Sequence, residues 1–382
     1  MPTLRLLNSL ADIPEDHWNA VHDGGNPFLS HAFLSGLEQY GCLKPRWGWT
    51  PLHAALYEGS ELIAAAPGYL KGNSHGEFVF DHAWAHAYSR YGIDYYPKWL
   101  IAVPYTPVAG SRLLARDGGS RKQLVAALQK ESTNRGLSSI HINFLPEAET
   151  MAIPDRWLAR SDVQFHWRND AGWKTFGDFL GALESKKRKN IRQEREQVRR
   201  AGIAIRTVDG GNASDADLAA MHAFYCATFS EKGNHPALTL EFFRHLARSA
   251  PTRLILVLAE RQRRAIAGAL FLRGRDTLYG RYWGAEENSP GLHFECCYYQ
   301  GIEICLRENI ATFEPGAQGE HKIARGFLPV LTDSRHYIAD ERFSEALRPW
   351  CAEEKASVLR YRDLVMQHSP YREPIADRPA RG

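Results

Sequence analysis

The sequence lacks the features that would assign it to several special classes of protein. Only six of its 382 residues are cysteines, and none of them forms a Cys-x-x-Cys pair. This excludes a disulfide framework and a zinc site of paired cysteines, and it indicates a reducing compartment. No apolar run approaches the roughly 20 residues that cross a bilayer. The N-terminal segment carries Asp12, Glu15 and Asp16 rather than the basic-then-apolar order of a signal peptide, so we expect a cytoplasmic protein.

An excess of charge of one sign is also absent. The formal net charge is only +3, from 47 basic and 44 acidic residues, so any basic surface must be local. Apolar residues make up 44% and charged residues 24% of the chain, which is typical of a globular protein and excludes extensive disorder. A chain of 382 residues is longer than one ordinary hydrophobic core supports and suits two domains.

Strand and helix signals occur in an order that repeats once. In the first half, IAAA at 63–66 leads to YLKG at 69–72. In the second half, IAGA at 266–269 leads to FLRG at 271–274. In each half, strands precede a helix and the helix precedes another strand. The sequence therefore predicts two copies of one mixed α/β unit.

The hydrophobic pattern weakens around residues 146–160, and we place a domain boundary there. The first predicted domain covers residues 1–155 and the second covers residues 160–340. A helix and tail at 341–382 complete the chain, and we expect this helix to pack on the second domain.

A basic helix is predicted near the start of the second domain. Thr175 and Asp178 have the spacing of a capping box, which would open one long helix that stops at Gly202. Arg188 and Arg192, with the arginines at 195 and 199, fall on one face of this helix. Guanidinium groups bind phosphate oxygens in pairs, so this face can hold coenzyme A, a tRNA end or a lipid pyrophosphate. The alternative is a solvated helix face balanced by neighbouring glutamates.

A second helix, starting at His293, carries a candidate proton acceptor. Glu295 lies in its first turn on a largely apolar stripe, so its carboxylate is expected to be buried. A buried carboxylate can act as a general base, or it can pair with an arginine. Because the following strand, at 312–314, should return to the same sheet edge, we predict that Glu295 and the loop after this strand face one cleft.

That loop is a polar cluster directly after a buried strand. Two glycines, Gly316 and Gly319, allow sharp turns that expose backbone N–H groups to an oxyanion or carboxylate. Gln318, Glu320 and His321 add side-chain donors and acceptors, as does the lysine at 322. The alternative interpretation is an ordinary surface turn.

The segment FDHAWAH at 80–86 suggests a pocket wall rather than a metal site. His82 and His86 are four residues apart, but no third ligand is evident, so we predict no metal. A hydrogen-bonded wall that contains Asp81, Trp84 and Tyr88 fits the pattern better.

Together these segments resemble a known group of proteins, the Fem-like predicted N-acyltransferases of bacteria. The group is related to the Fem-type enzymes that attach amino acids to peptidoglycan precursors, and to the GCN5-related acetyltransferase (GNAT) superfamily. The resemblance is carried by FDHAWA at 80–85, YYPK at 95–98, VPYTP at 103–107, FHWRN at 165–169, KKRKNIR at 186–192, YWG at 282–284, HFE at 293–295, CYYQGIE at 297–303 and GAQGEHK at 316–322.

The resemblance implies an α/β protein with two tandem acetyltransferase-like domains. It also implies transfer of an acyl or aminoacyl group to an amine, on a small molecule or a peptide such as a peptidoglycan precursor. The co-substrate is acyl-CoA or aminoacyl-tRNA, and no permanently bound cofactor is expected. The usual pyrophosphate loop and the paired-helix arm of some Fem-type enzymes are both absent, so the donor stays open. A non-catalytic module that binds a phosphorylated ligand is the alternative function, whereas the near-neutral charge disfavours a general RNA-binding protein.

The patterns and the resemblance together define the predicted site. The predicted catalytic residues are Glu295, Gln318 and His321. The predicted phosphate-binding residues are Lys187, Arg188, Arg192 and Arg195. The predicted substrate-binding residues are Asp81, Trp84, Tyr105, Tyr282, Trp283, Tyr299, Gly316, Gly319, Glu320 and Lys322.

Overall fold

The structure is a computed structural model that describes residues 2–287, 289–317 and 319–373. Its strands are β1 (Thr3–Leu7), β2 (Trp49–Pro51), β3 (His53–Glu58), β4 (Glu61–Ala66), β5 (Gly68–Lys71), β6 (Lys98–Ile101), β7 (Leu114–Ala115), β8 (Ser139–Leu145), β9 (Leu158–Arg168), β10 (Ala204–Asp209), β11 (Leu254–Arg261), β12 (Arg264–Arg273), β13 (Thr277–Ala285), β14 (Thr312–Glu314) and β15 (Leu328–Ile338). Its α-helices are α1 (Glu15–Asn19), α2 (His31–Gln39), α3 (His82–Arg90), α4 (Gly118–Asn134), α5 (Glu147–Thr150), α6 (Phe176–Ala182), α7 (Ser185–Arg200), α8 (Asp215–Glu231), α9 (Leu240–Ser249), α10 (Leu292–Phe294), α11 (Gln300–Glu308) and α12 (Glu341–Met366).

The two halves of the chain repeat one order of strand pairing. In the second half, β10, β11, β12 and β13 are antiparallel neighbours, and β13 then pairs with β14 as a parallel strand. In the first half, β1, β3 and β4 are antiparallel neighbours, Pro67 separates β4 from β5, β5 pairs with β6, and β6 pairs with β8 as a parallel strand. A helix lies between the two parallel strands in each half, which confirms two tandem acetyltransferase-like units.

One sheet of eleven strands runs through both units, in the order β10-β11-β12-β13-β14-β9-β15-β8-β6-β5-β2. Most neighbours are antiparallel, so this is not a doubly wound parallel sheet. The two units meet at β9 and β15, which pair with each other over nine residue pairs from Leu328 and His166 to His336 and Leu158. The predicted boundary near residue 155 therefore falls immediately before a strand that the two units share.

The predicted long basic helix is two helices. Thr175 and Asp178 form the expected capping box, but the helix that they open is α6, which ends at Ala182. Leu183 is extended, with φ −86° and ψ 159°, and it forms an isolated β-bridge with Tyr371. This contact with the chain beyond α12 interrupts the helix, and α7 starts anew at Ser185.

The C-terminal helix packs across the junction between the units rather than on the second unit alone. α12 lies against both β9 and β15. Cys351 belongs to a buried cluster of the first unit that contains Trp84 and Tyr88. Val365, near the other end of the helix, joins the core of the second unit. α12 therefore connects the two hydrophobic cores.

None of the described helices has the length and apolar content needed to cross a membrane. In the same residues, no group of three or more histidine, cysteine, aspartate or glutamate side chains is arranged to hold a metal ion. All six cysteines have free thiols.

Candidate active site

The candidate active site lies where two neighbouring strands of the second unit separate. β13 and β14 pair only over residues 277–279 and 312–314. β13 then continues to Ala285, whereas the chain leaves the sheet after Glu314, at Pro315. The edge of β13 beyond Tyr279 therefore borders a gap, in which no described strand pairs with it.

A β-bulge changes the direction of the side chains of β13 at this gap. The register between β12 and β13 shifts at Leu270/Phe271, which leaves Arg281 as an extra residue opposite no partner. The Arg281 guanidinium donates a hydrogen bond of 2.7 Å to the carbonyl oxygen of Tyr105 in the first unit. Bulges are frequent beside active sites because they turn a side chain out of the regular alternation. Here the bulge brings a cation to the contact between the two units.

A cavity of about 80 Å³ opens beside the gap. It is lined by residues of β12, β13, the loop after β14 and the helical segment 292–308: Ala269, Leu270, Phe271, Gly280, Arg281, Tyr282, Trp283, His293, Cys297, Tyr298 and Pro315. Two predicted substrate-binding residues, Tyr282 and Trp283, are therefore in this lining.

The helical wall of the cavity contains a π turn. Between α10 and α11, residues Glu295–Tyr299 are π-helical, and the backbone N–H of Gln300 bonds the carbonyl oxygen of Glu295, five residues earlier. Such turns are rare in proteins, and those that occur are often found at functional sites, because they change which side chains lie on each face of the helix. In this helix Tyr298 borders the cavity, whereas the Glu295 carboxylate contacts α7.

Tyr298 and His321 form a hydrogen-bonded pair at the cavity. The Tyr298 hydroxyl lies 2.9 Å from His321 Nε2. Burial raises the pKa of Tyr298, so its O–H group stays protonated at neutral pH. Burial, with the charges of Arg325 and Lys322, lowers the pKa of His321, which is therefore a neutral imidazole. A phenol and a neutral imidazole in this contact can pass a proton between them.

His293 adds a second neutral imidazole to the same wall. Burial, together with His321 and Arg325, lowers the pKa of His293 to about 4. Its ring packs edge to face on Trp283, with centroids 5.4 Å apart. The cavity lining therefore combines aromatic rings and a neutral imidazole with one cation, Arg281.

The loop after β14 folds back on itself near this cavity. Lys322 Nζ donates a hydrogen bond of 2.6 Å to the carbonyl oxygen of Gly316, and burial lowers the pKa of Lys322 to about 8. Gln318, which the sequence predicts as catalytic, lies outside the described residues. The buried Lys322 side chain thus bridges back to the start of the loop, while Glu320 and His321 are exposed.

Gly319 sets the position of His321. Its φ of +120° is a conformation that side-chain-bearing residues rarely adopt, and a Cβ atom there would lie 2.4 Å from the His321 ring. Glu320, by contrast, accepts a hydrogen bond of 2.6 Å from Tyr361 of α12 and points away from the cavity lining.

Glu295 is not in the cleft that the sequence predicts for it. The Arg195 guanidinium binds both of its carboxylate oxygens, at 3.0 and 2.9 Å, and Gln300 donates a further hydrogen bond of 2.8 Å. The Glu295 side chain is only 4% exposed, and Arg195 also contacts Glu303 at 2.6 Å. A carboxylate held in this way joins α7 to the π turn and is poorly placed to accept a substrate proton.

Glu295→Gln is therefore expected to lower stability by about 1–3 kcal/mol, because it weakens a buried charged pair, and to leave transfer activity within a few-fold of the parent. Urea unfolding and a transfer assay on the same preparation measure the two effects. Glu303→Gln is the matched control, since it removes a 35% exposed carboxylate from the same guanidinium and should cost less than about 1 kcal/mol. A 100-fold loss of activity at unchanged stability would restore Glu295 as the base.

Tyr299 also faces α7 rather than the cavity. Its hydroxyl donates a short hydrogen bond to Glu194, which in turn binds Arg325 at 2.6 Å. Arg325 stacks on the ring of Phe294, with its central carbon 3.3 Å from the ring centroid. These contacts extend the ion-pair network that attaches α7 to the helical wall.

The four predicted phosphate-binding residues have different surroundings. Arg195 is engaged by Glu295, and Arg188 donates a hydrogen bond of 3.3 Å to the carbonyl oxygen of Gly181. Within the described part of the chain, Lys187 and Arg192 have no ion pair or side-chain hydrogen bond. Only these two are available, with the neighbouring lysines, to a phosphate ligand.

Asp81 and Trp84 lie in the core of the first unit rather than in the cavity lining. Asp81 contacts Lys98 and accepts a hydrogen bond of 2.5 Å from Tyr95. Trp84 is 1% exposed and packs edge to face on His336 of β15, with centroids 5.2 Å apart. The FDHAWA segment thus holds the shared strand β15 against the first unit.

Tyr105 contacts the site through its backbone, since its carbonyl oxygen binds Arg281. Its hydroxyl donates a hydrogen bond of 3.2 Å to the carbonyl oxygen of Cys42.

Arg281 and Glu314 are absent from the predicted site. A bulge depends on the pairing of two strands, so the sequence next to Tyr282 carries no signal for it. Glu314 lies directly before the polar loop, and its position ahead of Pro315 and two glycines is the sequence signal that could have indicated it as a site residue.

The comparisons with known proteins agree with this fold. Structures with a similar fold include the C-terminal domain of a putative lysylphosphatidylglycerol synthetase from Agrobacterium fabrum, with 12% identity, a TM-score of 0.55, and coverage of 92% of this chain and 98% of that one. FemX aligns with 11% identity and a TM-score of 0.51, over 90% of this chain and 100% of its own. At this level of identity, the similarity shows the fold alone.

No curated protein matches the sequence. A family described as peptidoglycan biosynthesis/recognition, the FemAB-like family, matches residues 9–373. This match covers nearly the whole chain and both tandem units. The protein therefore belongs to the FemAB-like family.

Proposed function

We propose that this protein transfers an acyl or aminoacyl group from an activated donor to an amine, in the gap between β13 and β14. The observation that carries the proposal is the separation of these strands beside a cavity lined by Tyr298, whose hydroxyl contacts His321. A carbonyl group in the gap would meet backbone N–H groups of β13. One such donor is commonly worth roughly 3 kcal/mol to an oxyanion.

The proposed reaction needs one proton acceptor and one proton donor. The amine nitrogen attacks the donor carbonyl carbon, a C–N bond forms, and the nitrogen gives up a proton. The C–S bond of a thioester or the C–O bond of an ester then breaks. The departing sulfur or oxygen takes the proton of the Tyr298 hydroxyl, which recovers a proton through His321.

The proposed donors are acyl-CoA and aminoacyl-tRNA, and both act as co-substrates. The proposed acceptor is an amine on a small molecule or peptide, and the description of the family supports a peptidoglycan precursor. Both donor classes are made in the cytoplasm, where we place this chemistry.

The direct test is a panel of labelled acyl-CoAs and charged tRNAs, each incubated with the purified protein and a mixture of amines. We expect one donor class to lose its label to an amine, with release of free thiol or uncharged tRNA. Binding of a donor without any transfer would support the non-catalytic module instead, and neither binding nor transfer would overturn the proposal.

Two cations of α7 without an ion pair, Lys187 and Arg192, should contribute to donor binding. Lys187→Ala combined with Arg192→Ala is expected to weaken binding of uncharged tRNA, or of coenzyme A, about tenfold at low salt. The physical reason is the loss of two phosphate contacts, and the difference should shrink at high salt. Filter binding or calorimetry at two salt concentrations measures this effect.

The matched control uses the same helix. Arg199→Ala combined with Arg200→Ala also removes two charges, but both of these arginines pair with Glu196. We expect this control to bind as the parent does. Equal losses in the two variants would mean that α7 contributes only its overall charge.

A further inference from the structure

The Glu314 carboxyl faces the first unit, where a backbone hydrogen bond from Ala109 and the charge of Arg112 act on it. Glu314 is the last residue of β14, and the alternation of side chains places it opposite Phe313, whose ring packs on Gly301 of the helical wall. Glu314 is only 9% exposed, yet its Oε2 atom has no hydrogen-bond partner. A buried carboxylate oxygen without a hydrogen-bond partner lowers the stability of the fold by about 1–3 kcal/mol, so we expect this oxygen to bind a polar ligand or water.

Two arginines lie near this carboxylate, and each also has an unused donor. Arg281 uses one terminal nitrogen on the first unit, and its Nε atom is buried without a partner. Arg112 is fully buried, donates to the carbonyl oxygens of Val108 and Gly110 at 2.5 and 2.9 Å, and also has an unpartnered Nε atom. Three buried groups with unused hydrogen-bonding capacity thus lie close enough at the end of β14 for the two arginine charges to act on the Glu314 carboxyl.

The charges of this cluster suit the deprotonation of an amine. An acceptor amine arrives as an ammonium ion, and two nearby guanidinium groups disfavour its charged form. Burial raises the pKa of Glu314 to about 8, against the opposing effects of Arg281 and Arg112. A carboxylate with such a pKa is basic enough to take a proton from an ammonium ion whose own acidity is increased.

We propose that Glu314 is the proton acceptor for the attacking amine, and that the amine enters from the side of the first unit. This inference rests on the proposed transfer function. As the nitrogen bonds to the donor carbonyl carbon, its proton moves to the free oxygen of Glu314. The proton of Tyr298 moves to the leaving atom on the other side of the gap. Acid and base therefore lie on opposite faces of the sheet, and the proton count balances.

The test compares two nucleophiles on parent and Glu314→Gln protein, with the donor that the panel identifies. An alkylamine is protonated at neutral pH and needs the base, whereas hydroxylamine is already unprotonated. We expect Glu314→Gln to lower the rate of transfer to the alkylamine about 100-fold or more, and the rate of transfer to hydroxylamine less than tenfold. Equal losses with both nucleophiles, or no loss with either, would overturn the proposal. Glu260→Gln, on the distant strand β11, is the control for loss of a carboxylate.

Two further readouts separate this inference from the proposed function. If the parent transfers to neither nucleophile, the proposed function fails, and the inference fails with it. A carboxyl ¹³C NMR titration is independent of turnover: we expect a signal that is missing in Glu314→Gln and titrates near pH 8. A signal that is fully ionised at acidic pH contradicts the inference. If the Gln variant does not fold, Glu314→Asp replaces it, with an intermediate loss expected on the alkylamine alone.

Discussion

Lys98→Met is expected to lower the free energy of unfolding by about 3–5 kcal/mol, the usual cost of removing one partner from a buried ion pair. Lys98 is fully buried, and its ammonium group contacts Glu77 at 2.8 Å, Ser74 at 3.0 Å, and Asp81. Without the lysine, two buried carboxylates lose their cation. Urea unfolding followed by circular dichroism measures the change.

The destabilisation should depend on pH in a defined direction. Burial already raises the pKa of Glu77 to about 7. Burial also acts to raise the pKa of Asp81, but the charge and hydrogen bond of Lys98 hold it below its usual value. In Lys98→Met both folded-state pKa values rise above their unfolded values. Proton binding then stabilises the folded variant at low pH. This stability is lost as the pH rises from about 4, the unfolded value of a carboxyl group, through the raised folded-state pKa values.

Lys71→Met provides the matched control, because Lys71 is the direct cross-strand neighbour of Lys98 and is equally buried. Burial lowers the pKa of Lys71 to about 7. Its ammonium donates a hydrogen bond of 3.0 Å to the carbonyl oxygen of His75 and lies 3.7 Å from the centroid of the Trp49 ring, so its contacts are with uncharged groups. We expect a smaller loss, about 1–2 kcal/mol. A triple variant that also carries Glu77→Gln and Asp81→Asn should recover most of the stability lost in Lys98→Met. Equal losses for the two lysines would contradict the ion-pair explanation.

The buried polar groups of the first unit also explain which elements the sequence does not reveal. β15 is central to the large sheet, yet its inward residues include Thr332, Ser334 and His336, which are all buried. Their partners are far away in sequence: His336 Nδ1 lies 2.7 Å from His141 Nδ1 of β8, and Tyr95 extends this hydrogen-bonded chain to Asp81. The sequence of β15 therefore lacks the alternation of apolar and polar residues that identifies a strand, and it looks like the sequence of a loop.

β9 lacks a clear sequence signal for the same reason, and the predicted boundary lies immediately before it. Its inward residues include Ser161, Gln164 and His166, and Gln164 donates a hydrogen bond of 2.7 Å to the carbonyl oxygen of Pro107. By contrast, β11 and β12 have buried apolar faces, and the IAGA and FLRG segments of β12 carry the repeat that the sequence shows. The repeat of the two units is visible in the sequence because these apolar strands carry it. The pairing of β9 with β15, which joins the two units, is not visible, because both strands bury polar residues.

The site shows the same division between local and long-range information. The His293 helix and the loop of His321 were predicted from local signals, and Tyr282 and Trp283 lie in the cavity as the motif suggests. The partner of Glu295 is Arg195, 100 residues earlier. A helical pattern indicates that a carboxylate is buried but does not say what it meets. The sequence therefore indicates this helix but not which of its faces lines the cavity, where Tyr298 lies and Glu295 does not.

Tyr298→Phe has the largest expected effect on turnover, and the size of the effect should depend on the leaving group. The substitution removes only the hydroxyl that lies 2.9 Å from His321. With an ester donor the leaving group is an alkoxide, a strong base that needs a proton as the bond breaks. General acid catalysis of this kind contributes about 10²–10⁴-fold to a rate, and we expect a loss of that order with aminoacyl-tRNA.

With a thioester donor the same variant should lose far less. A thiol has a pKa near 8.5, so a thiolate leaves at neutral pH without an acid. We therefore expect Tyr298→Phe to keep transfer from an acyl-CoA within about tenfold of the parent. If the parent accepts only one donor class, the size of the loss in Tyr298→Phe indicates whether breaking the donor bond needs the hydroxyl.

Tyr371→Phe is the control for loss of a buried tyrosine hydroxyl in the second unit. Its hydroxyl binds the carbonyl oxygen of Gly326 at 2.7 Å, and it is not part of the cavity lining. We expect it to cost about 1 kcal/mol of stability and to leave kcat unchanged with either donor. Tyr298→Phe should show the converse, a reduced kcat with nearly unchanged stability. If it transfers from an ester donor at the parent rate, Tyr298 is only a wall of the cavity, and the proton for the leaving group comes from solvent or from the donor itself.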